Sequence, residues 1–204
     1  MLLFVGLGNP GTQYARNRHN VGFMAIDAIV AAHGFGAFRN KFQGLASDGR
    51  LAGEKVLAFE PLTFMNNSGQ AVAAALSFYK LTPADLIVFY DEIDLAPGKV
   101  RVKRGGGTAG HNGVRSLDRH VGPDFRRVRI GVGHPGHKDR VHGHVLHDFS
   151  KADETWLNPT IDAIAREAPL LAAGDDAAFM SRVAMAINPP DKKDRANDAE
   201  RDRG

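Results

Sequence analysis

Four short segments of this chain carry residue types suited to holding and cutting a polar bond. His19 lies in RNRHNVG, Asn9 in GLGNPG, Asn66 in FMNNSG and Asn112 in AGHNG. Amide side chains donate and accept hydrogen bonds at once, so they suit an uncharged ester or amide substrate. A histidine among them is the one side chain that titrates near neutral pH unaided. It needs a partner, and Asp91, just after the apolar run LIVFY, is the best candidate. A carboxylate on one ring nitrogen fixes the tautomer and leaves the other nitrogen free to take a proton. A nucleophilic side chain is hard to find. There is no cysteine and no G-x-S-x-G elbow, and Ser68 in NNSG reads as a helix cap. The economical chemistry is therefore His19 activating water directly. Taken singly, each asparagine also reads as an ordinary turn residue, and Glu92 and Asp94 read as a solvated acidic turn.

Three further motifs admit more than one reading. GLGNPG matches G-x-G-x-x-G after a strand, but the region about 20 residues on is the helical AIDAIVAA, with Asp27 inside it, so a dinucleotide site is rejected. GGGTAGHNG lacks the G-K-[ST] ending of a phosphate-binding loop, which argues against nucleotide hydrolysis. It is flanked by Arg101, Lys103 and Arg104, and together with Arg126, Arg127 and Arg129 these could form a phosphate-binding face or simply a wet strand face. His134, His137, His142, His144 and His147 fall within 14 residues. Their spacing could capture zinc, but a loop-like, polar lid is the preferred reading.

The elements that must position these residues alternate. LLFVGL (2–7) and Leu86 to Tyr90 read as buried strands, and 20–32 as a helix closed by Gly34. FQGLASDGRL and EKVLAFE read as strands with a turn near Gly53, and GQAVAAALSFYK as a helix capped by Asn67 or Ser68. KVRVKR (99–104) and RRVRIGV (126–132) alternate, with the arginines of the latter on a wet face. VRSLDRHV is a short helix, HPGHKDRVHGH a loop, and 151–173 and 175–187 are helical, with breaks or kinks at Pro159 and Pro169. This pattern predicts a single-domain α/β three-layer sandwich, with a mixed, largely parallel central sheet between helices. In such sheets ligands sit beyond the carboxyl ends of the strands, where Gly6–Gly11, Asn66 and Asp91 would meet.

Composition sets the outer limits. The chain has 204 residues, 43% of them hydrophobic, enough for one domain with a full core. The predicted boundaries are a catalytic domain at 1–188 and a charged, disordered tail at 189–204. The stretch DKKDRANDAERDRG holds five basic and five acidic residues, so the net charge of +3 belongs to the body and is too small by itself to show nucleic-acid binding. Absence of cysteine fits a reducing compartment. The N-terminal apolar run reads as a strand and not a signal peptide, and no run approaches a membrane span.

Taken together, VGLGNPG, YARNRHNVG, PLTFMNNSG, DEIDLAPGKVRVKRGGG, GHNG and RIGVGHPG, in this order and spacing, resemble the bacterial-type peptidyl-tRNA hydrolases over nearly the whole chain, up to about residue 188. Thr108 stands where many members have histidine. The resemblance implies a cytoplasmic, monomeric hydrolase with no cofactor, no metal, no membrane attachment and no obligate protein partner. Its substrate would be peptidyl-tRNA, cleaved at the ester between the peptide and the 3′-terminal ribose so that tRNA is recycled from aborted translation. It further implies that His19 is the general base, that Asp91 holds it in its basic form, and that Asn9 discriminates blocked from free aminoacyl groups. Tyr14, Phe64, Asn66 and Asn112 would bind substrate near the peptide and the 3′ end. Arg101, Lys103 and Arg129 would contact tRNA phosphates. Two competing readings are a catalytically silent RNA-binding domain and a metallohydrolase built on the histidine-rich loop.

Overall fold

Apolar runs too short for helices pair edge to edge to make the centre of the molecule. The computed structural model describes residues 1–188; the tail expected at 189–204 lies outside them. In chain order the strands are β1 (Leu2–Gly6), β2 (Arg39–Lys41), β3 (Gly44–Leu51), β4 (Glu54–Pro61), β5 (Leu86–Glu92), β6 (Val100–Arg104) and β7 (Arg126–Gly131). The helices are α1 (Val21–Ala32), α2 (Ser68–Tyr79), α3 (Asn112–Val121), α4 (Val141–Val145), α5 (Glu154–Ala172) and α6 (Asp176–Ile187).

All seven strands form one sheet in the order β2-β3-β4-β1-β5-β7-β6. The four central strands β4, β1, β5 and β7 run parallel, and the outer strands β3, β2 and β6 are antiparallel to their neighbours. The sheet is thus mixed, with its parallel part at the centre. Side chains alternate across it. Phe4, Val56, Ala58, Ile87, Phe89 and Val128 pack with α1, α5 and α6, while Leu3, Val5, Leu57, Phe59, Val88 and Tyr90 pack with α2 and α3. That makes three layers with two cores. Truncating a fully buried residue of either core, such as Leu57 or Ile87, costs about 2–5 kcal/mol. Among the described residues no helix is long and apolar enough to cross a membrane.

Several local expectations are revised. Helix α5 runs unbroken through Pro159 and Pro169. Each proline removes a backbone donor, yet Leu157, Ala163, Ile164, Ala168 and Leu171 bury one face of this helix in the core it shares with α1 and α6, and that burial outweighs the lost bonds. The HPGHKDRVHGH segment contains the short helix α4. Strand β2 has three exposed polar residues and no alternation to announce it; it forms because a two-residue turn folds it onto β3. Asn67 occupies the cap position of α2 without a side-chain cap bond, and Ser68 Oγ donates to the Met65 carbonyl instead.

Candidate active site

The carboxyl ends of β4, β1 and β5 lie side by side, and the segments that leave them carry the residues singled out by type. The GLGNPG glycines matter here for packing and not for a phosphate. A Cβ on Gly6 would collide with the Gly22 backbone, and one on Gly22 would collide with the Leu7 backbone and the Phe89 carbonyl. Two bare backbones can therefore approach closely. The start of α1 is drawn against β1 and β5, and the 3-10 turn before it, Arg18–Asn20, is set over the end of β5.

That turn presents His19 to Asp91. His19 Nδ1 lies 2.9 Å from Asp91 Oδ1 and 3.0 Å from Oδ2, and both residues are buried. A second histidine reaches the same group: His111 Nε2 lies 2.9 Å from Asp91 Oδ1. The tautomers follow from the partners. His111 Nδ1 accepts the backbone N–H groups of Gly113 and Val114 at the start of α3, so its proton sits on Nε2 and is donated to Asp91. Burial alone would raise the Asp91 pKa, but the charges and hydrogen bonds of His19 and His111 outweigh it and hold the carboxyl well below its usual range. An ionised carboxylate only accepts, so His19 donates from Nδ1 and keeps the Nε2 lone pair free. For His19, burial opposes the charged form, while the charge and hydrogen bond of Asp91 favour it; the net shift is upward from 6.5.

Asn9 is fixed just as firmly. Its backbone N–H donates to Asn20 Oδ1 at 3.0 Å, and its carbonyl accepts from Asn20 Nδ2 at 2.9 Å. Its side-chain Oδ1 accepts the Met65 N–H at 2.8 Å. The acceptor end of this amide is therefore engaged and the donor end remains. Met65 opens the 3-10 turn Met65–Asn67 after β4, which exposes Asn66. Gly113 lies against Met65 and Leu7, and so brings the first residue of α3, the exposed Asn112, up to the same turn. Asn112 Oδ1 accepts from Arg115. Tyr14 is half-buried in the 3-10 turn Thr12–Tyr14, and Phe64 is 58% exposed beside Met65.

The basic strands are less uniform than their alternation suggested. Arg101 and Arg129 face each other in register across β6 and β7, and Lys103 is half-buried farther along β6. Arg129 pairs with Glu92 at 3.5 Å, and Glu92 is a buried strand residue and not a solvated turn. Arg126 and Arg127 do not face water. Arg126 bonds the Leu171 carbonyl and Asp176; Arg127 is 0% exposed and bonds Asp118, the Gly107 and Pro123 carbonyls and the ring of Phe125. Both faces of β7 are covered, so these two arginines hold the fold, and Arg101, Lys103 and Arg104 of β6 are left as the more available cations.

Sequence reasoning passed over two residues. His111 lies in AGHNG beside Asn112, and a histidine directly before a helix start is the signal that the sequence offers for it. Asn20 is the other: an amide next to the candidate base is well placed to brace a neighbouring loop, and Asn20 braces Asn9. His19, Asp91 and His111 are also the one group among the described residues that brings three metal-type ligand atoms within 4.8 Å. The five histidines at 134–147 form no such group. Ring nitrogens of His134 and His137 accept nearby backbone N–H groups, and those of His144 and His147 lie against the carbonyls of Val132 and Asp148.

Comparison with known proteins agrees with this geometry. The family model described as peptidyl-tRNA hydrolase matches residues 3–193. A peptidyl-tRNA hydrolase of Parvibaculum lavamentivorans is 61% identical over 204 residues, covering 99% of this chain and 100% of the relative. One from Rhodospirillum centenum is 59% identical over 190 residues, covering 93% and 84%. The crystal structure of the peptidyl-tRNA hydrolase of Acinetobacter baumannii superposes with a TM-score of 0.84 at 39% identity, covering 90% of this chain and 94% of that one. With the family model spanning nearly all of the described residues and relatives this similar over most of their length, the chain belongs to the peptidyl-tRNA hydrolase family.

Proposed function

We propose that this protein hydrolyses the ester between a peptide, or an N-blocked aminoacyl group, and the 3′-terminal ribose of tRNA, returning free tRNA to translation in the cytoplasm. In this reading it acts as a monomer, and residues 1–188 form the catalytic domain. The observation that carries the proposal is His19, held at Nδ1 by Asp91 with Nε2 free, together with an Asn9 whose Oδ1 is engaged by Met65 and whose side-chain N–H₂ is left to donate.

The steps follow from those groups. His19 Nε2 takes a proton from water, and the hydroxide attacks the ester carbonyl. Asp91 stabilises the imidazolium and keeps the ring in one tautomer. An amide N–H from the asparagines steadies the negative oxygen of the tetrahedral intermediate. As the carbon–oxygen bond to the ribose breaks, His19 returns its proton to the departing 3′ or 2′ oxygen. Asn9 supports selection: its free N–H₂ can donate to the acyl carbonyl of a blocked substrate, whereas the ammonium of free aminoacyl-tRNA has only donors to offer. Asn66, Asn112, Tyr14 and Phe64 hold the acyl and 3′ end, and Arg101 and Lys103, with Arg129 behind them, face the phosphates.

The decisive experiment compares N-acetyl-aminoacyl-tRNA with free aminoacyl-tRNA. Rapid release of deacylated tRNA from the first and slow release from the second is expected. Binding of both without cleavage of either would sink the hydrolase reading and leave an RNA-binding domain.

A further inference from the structure

Asp91 serves two imidazoles, and the proposed reaction uses the far nitrogen of only one. His111 stands in the same order as His19: carboxylate, imidazole, lone pair. Its Nε2 donates to Asp91 Oδ1 at 2.9 Å, and its Nδ1 accepts the Gly113 N–H at 3.1 Å, with the Val114 N–H farther off at 3.3 Å. A carboxylate behind an imidazole fixes the tautomer and stabilises the imidazolium, so the opposite nitrogen is a competent base. Here that base faces a backbone amide, and the amide belongs to the residue after Asn112. A backbone nitrogen relieved of its proton can attack the side-chain carbon of the asparagine before it and close a succinimide ring.

The surroundings favour closure at this asparagine. Glycine leaves the attacking nitrogen unhindered, and Asn112 is the one asparagine of the sequence followed by glycine. Asn9, Asn158 and Asn188 precede proline, which has no N–H to lose. Asn17 and Asn20 are buried. Asn112 is exposed, and its Oδ1 accepts from Arg115 Nη1 at 3.3 Å, so a cation stands where negative charge would develop. The Gly113 N–H lies in the first turn of α3, where no helix carbonyl accepts it, so this peptide can turn without breaking the helical ladder. Packing keeps the glycine in place: a Cβ at 113 would press on Met65 Sδ and Leu7 Cδ1, both in the close-packed core.

We propose that Asn112–Gly113 is a self-modifying site, where the Asp91–His111 pair takes the Gly113 proton and Asn112 is converted to aspartate or isoaspartate with loss of ammonia. As His111 Nδ1 takes the proton, the electron pair of the Gly113 nitrogen forms a bond to Asn112 Cγ. The oxyanion on Oδ1 faces Arg115. When it collapses, the Cγ–Nδ2 bond breaks, and His111 returns the proton to the departing nitrogen, which leaves as ammonia. Water then adds to either carbonyl of the succinimide and opens the ring, to aspartate from one side and isoaspartate from the other. One water is consumed, one ammonia is released, and nothing is oxidised or reduced. Either product puts a carboxylate in place of an amide donor at a proposed substrate-holding position, and isoaspartate also lengthens the backbone at the start of α3. The conversion therefore ends turnover. That consequence rests on the hydrolase reading; the covalent change does not.

The test holds the full chain at mildly alkaline pH over days and follows it by peptide mapping, isoaspartate methylation and kcat/KM for N-acetyl-aminoacyl-tRNA. The mass gain of OH over NH₂ should appear at residue 112 ahead of the exposed Asn40 and Asn66. kcat/KM should fall in step, by about tenfold or more at full conversion, as loss of a hydrogen-bond donor and gain of a charge like that of the substrate imply. Asn112→Gln should hold its own starting rate through the incubation, because the larger ring closes far more slowly. His111→Ala and Asp91→Asn should each slow conversion at 112 by about tenfold or more, the loss of a general base. Should His111→Ala unsettle the start of α3, Asp91→Asn decides, since Asp91 makes neither cap bond. Conversion at 112 no faster than at Asn40 or Asn66, undiminished conversion in Asp91→Asn, or full conversion with kcat/KM unchanged would each overturn the proposal. A fresh chain that cleaves no N-acetyl-aminoacyl-tRNA would remove the hydrolase reading, while the peptide map would still decide the modification.

Discussion

His19 and His111 share one oxygen of Asp91: each places a ring nitrogen 2.9 Å from Oδ1, and their rings stand 4.7 Å apart, centre to centre. The two are not equivalent. His111 has both nitrogens engaged, one by the carboxylate and the other by the start of α3. His19 has one engaged and one free. A shared carboxylate thus holds two imidazoles that differ in what they leave free: His111 has no unengaged nitrogen, and His19 keeps the one that the proposed general base requires.

That division sets a pH dependence. The His19 pKa is raised, so the neutral, proton-accepting form is lost as pH falls through a value above the ordinary 6.5. kcat/KM should therefore decline on the acid side through a pKa higher than that of a free histidine. His19→Ala should lose roughly 100-fold or more in turnover and lose this acid limb. Asp91→Asn removes the charge that lifts the His19 pKa, leaving burial to depress it. Its acid limb should move to lower pH while turnover falls, with tRNA affinity largely kept. A variant that loses affinity and turnover equally would mean that Asp91 serves binding.

His111→Ala tests the division directly. With one donor gone, the Asp91 charge acts on His19 alone, and the acid limb should move to higher pH, opposite to the Asp91→Asn shift. Turnover should drop by about tenfold or more, the order expected for losing a charge-assisted hydrogen bond to a positioning group. A pH–rate profile superimposable on wild type would show that His111 does not act through Asp91.

Much of this arrangement was legible in the residues because its parts obey local rules. Apolar runs such as LLFVGL and LIVFY announce buried parallel strands, and parallel strands gather their carboxyl ends, which is why Asn9, Asn66 and Asp91 could be expected at one edge. What was not legible depends on tertiary partners. Arg127 and Glu92 look like surface charges, and only the packing of α3 and β6 around β7 buries each beside a partner of opposite charge. Pro159 and Pro169 read as breaks because their cost is local while the compensating burial of α5 is not. His111 was obscured for the same reason: its significance lies 20 residues away, in Asp91.

The basic strands offer a separable prediction. Arg101→Ala and Lys103→Ala should each weaken tRNA binding and reduce the slope of log K against log salt by about 0.7–0.9, the value for one phosphate contact. Arg129→Gln should differ, because Arg129 is tied to buried Glu92. Its main effect should be a lower melting temperature, since it leaves a buried carboxylate without its cation. A reduced salt slope at unchanged stability would place Arg129 among the phosphate contacts instead.

Glu60 provides a prediction about stability alone. It is buried on β4, its Oε1 has no hydrogen-bond partner, and burial, reinforced by the nearby charge of Asp27, pushes its pKa up from 4.5 to about 8. The folded state therefore holds a proton that the unfolded chain releases above about pH 4.5. Stability from this group is greatest below that pH and declines as pH rises toward 8, the reverse of a salt-bridged carboxylate. Glu60→Gln keeps the shape and removes the charge. It should melt near the wild-type temperature at pH 4.5 and above it at pH 8, by about 2–4 °C for each kcal/mol recovered. Equal shifts at both pH values would show that Glu60 acts through packing, and a lower melting temperature at pH 8 would show that its carboxylate is ionised and paired in the folded protein.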